Sequence, residues 1–202
     1  MANKKNKVKF NICNVHYAPI TVAEEGTVTF GTPVPMPGAV SISMDPTGEP
    51  ESFYADGIEY YVINNNQGYD GDLELAMIPE SFRTDILKEE ADANKVLVEN
   101  ANSETGSFAL LFEFDGDIRK IRHVLYNCSA SRPTIESKTN EEDKEVQTET
   151  LTIKARPMAD GYVKAKTGDA TTDTVYNNWY KSVYQPTAVA EQQSAKSTKA
   201  VL

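Results

Sequence analysis

A chain of 202 residues with 20 basic and 30 acidic side chains carries a formal charge of -10, which excludes tight nucleic-acid binding, since that needs clustered cations to displace counterions. No run approaches the roughly 18 apolar residues of a membrane span, and MANKKNKVKF lacks the apolar core of a secretory signal; synthesis in a bacterial cytoplasm and no membrane partner are expected. Two cysteines, Cys13 and Cys128, are too few for a disulfide framework and are expected reduced and buried.

In chain order, a basic arm over residues 1–9 holds Lys4, Lys5, Lys7 and Lys9, and Val8 to Tyr17 reads as a first strand ended by Pro19. Thr27 to Phe30 is a short strand. Pro33, Pro35 and Pro37 then exclude a central strand, because each lacks a ladder donor. Val40, Ile42 and Met44 alternate with Ser41 and Ser43, so a strand resumes. Residues 45–57 (DPTGEPESFYADG) read as a long acidic loop with an aromatic pair, Phe53 and Tyr54; loops this long are commonly functional or partner-facing. Ile58 to Ile63 is a strand, and Asn64 to Gly71 a turn.

The most telling stretch is LELAMIPESFRTDILK, residues 73–88. Leu73, Leu75 and Met77 alternate with Glu74 and Ala76 as a half-buried strand. Pro79 stops the ladder and opens a helix over about residues 79–90, where its missing N–H is harmless. Phe82, Ile86 and Leu87 share one face of that helix, with Glu80 in the first turn and Lys88 near the end, as the helix dipole favours. Because nearly everything else is strand or loop, the helix is expected to cap a sheet or an open barrel end.

Val96 to Val98 is a short strand, and Asn100 to Gly106 a loop. Asp115-Gly116 between Ser107–Phe114 and Asp117–Cys128 is a hairpin signal, both turn positions favouring positive φ. Gln147 to Ala155 alternates throughout, with Thr148, Thr150, Thr152 and Lys154 on one side. Met158 to Lys166 makes short edge segments. Val175, Trp179 and Val183, four apart with Tyr176 and Tyr180 beside them, allow a short helix in an aromatic segment over residues 171–186. Residues 187–202 are small and polar, and loose order is expected there. A single mainly β domain over 1–186 follows.

Charge is unevenly spread. From Phe10 to Phe82 there is no Lys or Arg, while Glu24, Glu25, Asp45, Glu49, Glu51, Asp56, Glu59, Asp70, Asp72, Glu74 and Glu80 fall there. Such a surface repels a polyanion or meets a basic one. Catalytic signals are missing: no nucleophile elbow, phosphate-cradling glycine loop or helical His/Glu motif occurs. Cys13 with His16, and His123 with Cys128, are separated by three and five residues, which on a strand point to opposite faces and argue against zinc. Asp70-Gly71-Asp72 and Asp115-Gly116-Asp117 lack the further carboxylates of a calcium loop and read as turns.

The segments NKVKFNICNVHYAPI, GYDGDLELAMIPESFRTDIL, SFALLFEFDGDIRKIRHVLYNCSASRPTIESKTNEEDKEVQTETLTIKA and VYNNWYKSVYQP occur in order from about Asn6 to Pro186. There the chain resembles the major tail protein of long, non-contractile bacteriophage tails. The resemblance implies a β-sandwich or partial barrel flanked by one α-helix, with extended N- and C-terminal arms. It implies a structural virion protein without catalysis, metal or cofactor. Its partners would be itself, in stacked hexameric rings joined sheet edge to sheet edge, other tail proteins at the tube ends, and tape-measure protein and DNA passing through without specific binding. The contacts between copies are expected from Lys4, Lys5, Lys7 and Lys9, from Asp45, Glu49, Glu51, Phe53, Tyr54 and Asp56, and from Trp179, Tyr180 and Tyr184. Phe82, Ile86 and Leu87 are expected buried against the outer sheet, with Arg83 near a subunit boundary. Alternative readings are a single-ring terminator or secretion-type tube. A different class is a surface carbohydrate-binding sandwich that stacks sugars on Phe53, Tyr54, Trp179 and Tyr180.

Overall fold

A computed structural model describes residues 5–139 and 145–187; Lys4 and the tail from residue 188 onward lie outside the described residues. The strands are β1 (Lys9–Val22), β2 (Val28–Phe30), β3 (Val34–Pro35), β4 (Ala39–Thr47), β5 (Glu51–Ala55), β6 (Ile58–Ile63) and β7 (Gly68–Leu75). After helix α1 (Glu80–Asp85) come β8 (Glu90–Ala91), β9 (Leu97–Val98), β10 (Phe108–Gly116), β11 (Ile121–Ala130), β12 (Glu149–Arg156) and β13 (Lys164–Lys166), then helix α2 (Asp173–Asn178). The protein is mainly β, and none of its described helices is long and apolar enough to cross a membrane.

One antiparallel sheet runs β2-β1-β10-β11-β12-β7-β4, with β3 added on β1 and β13 on β11. It curls so that β1 comes back near β4, enclosing Val15, Tyr17, Leu73, Leu75, Phe108, Leu110, Leu125, Leu151 and Ile153. The period-2 patterns produce this directly: Leu73 and Leu75, or Leu151 and Ile153, point inward while Asp72, Glu74, Thr150 and Thr152 point out. β10 is buried on both faces. Phe108, Leu110 and Phe112 enter the enclosed core, while Ala109 and Leu111 enter a second cluster with Trp179 and Val183.

α1 seals one end of the curled sheet. Phe82 stands edge-on to Tyr17 and Phe108, with ring centroids 5.1 and 5.2 Å apart, and Ile86 and Leu87 are fully buried. These side chains thus fill the enclosed core rather than lie against an outer sheet. The Tyr17 hydroxyl donates to Asp85 at 2.8 Å, pinning the helix from the opposite strand. The helix is six residues, shorter than expected, because Lys88 turns to φ 62°; the next residues form the β8–β9 hairpin instead of fraying helix. Met77 faces solvent, since β7 ends at Leu75 and Ile78 is buried instead.

Other boundaries move for local reasons. Pro19 does not end β1, because it lies where the strand changes partner: residues 9–19 pair with β10 and 20–22 with β2, so no ladder bond needs its missing donor. In neither Asp-Gly-Asp triplet does the glycine form a turn. Gly71 is interior to β7, where a Cβ would run into the Ser43 carbonyl of β4, and Gly116 pairs with Lys9 at the end of β10. The β10–β11 turn falls at residues 117–120, held by the Asn6 side chain, whose Oδ1 accepts from the Ile118 and Arg119 amides at 3.0 and 2.9 Å.

Candidate assembly surfaces

Residues 45–57 are not a loop. β4 continues to Thr47, and Glu51–Ala55 pairs with Ile58–Ile63 as a separate two-stranded hairpin. Its turn is Asp56-Gly57, with φ 53° and 78°, the doubly positive geometry that such a pair tolerates best. The prolines at 46 and 50 disguised a real hairpin signal. Pro46 sits on β4, an edge strand, where a residue without a backbone donor is tolerated. Among the described residues the hairpin's large side chains stand largely uncovered: Phe53 is 58% exposed, Tyr54 64%, Ile58 63%, Tyr60 68% and Tyr61 63%. Single exposed apolar residues are ordinary, but a contiguous set of this size marks a contact surface. Glu51, Asp56 and Glu59 give it charge of one sign only.

The arm is partly tied to its own chain. The Lys7 amide donates to Asp117 at 2.8 Å, next to the Asn6 contacts. Lys5, Lys7 and Lys9 all project into solvent, with the Lys9 ammonium over the Phe114 ring at 4.9 Å.

The aromatic C-terminal segment lies on the outer face of β1, β10 and β11. Trp179 is buried and stacks on Tyr184 at 5.4 Å, its indole N–H donating to the His123 carbonyl. The Tyr180 ring lies tilted against that of His16, centroids 4.6 Å apart, and its hydroxyl donates to Glu113 at 3.3 Å; burial pushes its phenol pKa up. Buried Glu113 also takes Lys120 and Arg122, each at 3.0 Å. The Arg122 guanidinium lies 3.7 Å from the Tyr176 ring centre and 5.2 Å from that of Tyr180. A buried carboxylate needs this degree of pairing. Nothing in the sequence pattern marked Glu113, because β10 reads as a plain apolar strand. Trp179, being buried, offers no face to a sugar, so the aromatics proposed for glycan stacking do not form one platform.

A fourth surface is polar. On the outward face of β4, β7 and β12 the register aligns Ser41 with Glu74 and Thr150, Ser43 with Asp72 and Thr152, and Asp45 with Asp70 and Lys154. Hydroxyls hold the acids: Ser41 donates to Glu74 at 2.8 Å, Thr148 to the other Glu74 oxygen at 2.7 Å, and Thr152 to Asp72 at 2.8 Å. These bonds lower the Glu74 carboxyl pKa, and an Arg156 hydrogen bond does the same for Asp70. Arg83, beside the sealed end, bridges Glu149 at 2.7 Å and Glu89 at 3.2 Å. His16 and His123 are engaged with aromatic rings, and both cysteines are free thiols, Cys128 within the enclosed core.

A curled, mainly antiparallel sheet sealed by one short helix, with a bare apolar hairpin projecting from it, is the design of a structural subunit. The chain belongs to the phage tail tube protein family, whose model matches residues 3–194. A structural role in the tail tube and a place in the virion tail follow from that membership. Among solved structures it is similar to the sheath/tube terminator of an extracellular contractile injection system, PVC, in the extended state. That match has 6% identity and a TM-score of 0.44, covering 80% of this chain and 99% of that one. It is also similar to the tube-terminating cap of the anti-feeding prophage, with 10% identity, a TM-score of 0.41 and coverage of 83% and 98%. No curated protein sequence matches it significantly.

Proposed function

We propose that this protein is the repeating subunit of the tube of a long, non-contractile tail. Copies close into hexameric rings, the rings stack, and the bore carries DNA and the tape-measure protein. The observation that carries this reading is the β5–β6 hairpin, which exposes Phe53, Tyr54, Ile58, Tyr60 and Tyr61 together. A monomer gains nothing from such a hairpin, whereas a partner copy covering it recovers about 25 cal/mol for each Å2 of apolar surface removed from water. The basic arm and the C-terminal segment supply further contacts, the latter through the exposed parts of Tyr180 and Tyr184.

The polar face of β4, β7 and β12 lines the bore. Its Asp45, Asp70, Asp72 and Glu74 outnumber Lys154 and Arg156, and three of the four acids are already bonded to hydroxyls or arginine. DNA phosphate meets a repelling wall with few free donors, so it slides rather than sticks. As β4 is a sheet edge, its unpaired groups are available to a neighbouring copy, and ring closure removes the edge.

Negative-stain microscopy of the purified protein tests the proposal, with excision of residues 48–66 as the decisive variant. The Gln67 amide already bonds the Thr47 carbonyl at 3.0 Å, so a short turn can rejoin the ends. Tubes from the native chain and folded monomers from the variant are expected. Single rings from the native chain would assign a terminator role instead, and tubes from the variant would overturn the hairpin's part.

A further inference from the structure

The end of the curled sheet opposite α1 is not sealed. It opens into a cavity of about 320 Å3 floored by Phe112, Phe114, His123 and Leu125, with Lys9 and Lys164 on its rim. The Lys164 ammonium lies 4.2 Å from the centre of the Tyr69 ring and also donates to its hydroxyl. The Lys9 ammonium lies over Phe114, and Lys166 stands near enough to help depress the His123 pKa. Among the described residues, none of these three lysines forms an ion pair with a carboxylate, although acids outnumber bases in the chain by 30 to 20. Two of them, Lys9 and Lys164, are parked on aromatic faces, an arrangement worth about 1 kcal/mol at exposed sites. An incoming carboxylate offers them a stronger partner.

Resting on the tube reading above, we infer that this basic aromatic mouth receives the β5–β6 hairpin of a second copy of the chain. The two surfaces are complementary in both charge and polarity. The hairpin carries Asp56 at its tip and Glu51 and Glu59 on its strands, with no cation, beside Phe53, Tyr54 and Tyr60. Among the described residues, Lys9 and Lys164 are the charged side chains that line the mouth, with aromatic rings beneath them. A strand of six residues reaches about 20 Å at roughly 3.3 Å per residue, enough to cross from one subunit to the next.

Position sets the direction of the contact. The hairpin leaves the sheet between Thr47 and Gly68, which pair with each other, and Tyr69 on the mouth is the next residue. Knob and hole therefore lie at the same end of the molecule. Head-to-tail stacking would bring that end against the α1 end and keep them apart. Neighbours side by side in one ring bring them together, each hairpin lying over the next mouth until the ring closes. The three lysines fix register and speed encounter more than they add affinity, so this contact weakens with salt.

The test is a charge swap read by sedimentation and microscopy, with thermal melting as the control for folding. Triple replacement Lys9→Glu, Lys164→Glu and Lys166→Glu is expected to raise the protein concentration needed for assembly at least tenfold. Asp56→Lys with Glu59→Lys is expected to do the same. The five changes combined in one chain should restore assembly. A milder variant, Lys164→Gln, keeps the test available if the triple change impairs folding. Carbodiimide treatment of assembled native protein, made from equal parts isotopically light and heavy chain, should link Lys9, Lys164 or Lys166 of one copy to Asp56 or Glu59 of another. Assembly unaffected by the lysine changes, or links that form elsewhere but never here, would overturn the docking while leaving the tube reading intact. A native chain that stays monomeric at all concentrations would remove both.

Discussion

Glu113 on β10 and Arg122 on β11 face each other across the ladder as a registered pair, with 3.0 Å between carboxylate and guanidinium and the rings of Tyr176 and Tyr180 on the guanidinium. This buried pair is what binds the C-terminal segment to the sheet. Removing one member strands the other charge in a desolvated place. Glu113→Ala is expected to destabilise the fold by about 3 kcal/mol and to expose the segment over 172–186 to limited proteolysis. Chemical denaturation and digestion kinetics measure both effects, and an undisturbed segment would refute the coupling.

Phe82 is the keystone of the sealed end. Phe82→Ala leaves a cavity between Tyr17, Phe108 and Leu87 that the sheet cannot close, and should cost about 4 kcal/mol. Phe82→Leu, which keeps most of the volume, should cost less than half of that. Equal losses in urea titrations would show that the ring's edge contacts, rather than its volume, carry the stability.

Among the described residues, the Tyr126 hydroxyl is buried without a hydrogen-bond partner. Deleting only that oxygen removes a desolvated polar group and leaves the packing unchanged. Tyr126→Phe is therefore expected to be neutral or up to about 1 kcal/mol stabilising. A loss of stability would reveal a partner for the hydroxyl, such as an ordered water.

His123 confers a dependence on pH with a definite sign. Burial, and then the charges of Lys166, Lys9 and Lys164, lower its pKa from 6.5 to about 4. Between these values the unfolded chain binds a proton that the folded chain refuses. Stability is thus fully present above pH 6.5 and falls as pH drops toward 4, by on the order of 2 kcal/mol given the partly exposed ring. The slope against pH should be flatter in His123→Phe; identical slopes would place the titration elsewhere.

The hairpin is expected to be silent in the monomer. Changing Phe53, Tyr54 and Tyr60 to Ser should shift the unfolding free energy by no more than about 0.5 kcal/mol, as for ordinary surface sites, and abolish assembly. A large drop in monomer stability would mean that the hairpin packs on its own chain.

Several elements were legible because they follow from local chemistry. The alternation in residues 73–75 and 149–155, and the spacing of Phe82, Ile86 and Leu87, depend only on the periods of strand and helix, and these residues are buried as that spacing requires. The hairpin at 51–63 was half legible. Its Asp-Gly turn was present, but Pro46, Pro50 and five acids over residues 45–59 made its first strand read as loop. Conversely, Asp115-Gly116 promised a turn and is strand, because pairing with β1 outweighs a dipeptide preference of a few tenths of a kcal/mol to about 1 kcal/mol.

By itself the sequence determined a mainly β chain with one sealing helix, an acid-only stretch and membership of a tail-tube family, since composition, periodicity and family pattern are properties of neighbours along the chain. Only the tertiary structure decided that Glu113 is a buried anion, that the aromatic segment lies on β1, β10 and β11, and that Lys9 and Lys164 rim an open mouth with Lys166 near its His123. Those facts join residues as far apart in the chain as His16 and Tyr180, or Lys9 and Lys164, through a register that no local pattern encodes. The same register placed the bare hairpin beside that mouth, and with it the surface on which a second copy is proposed to dock.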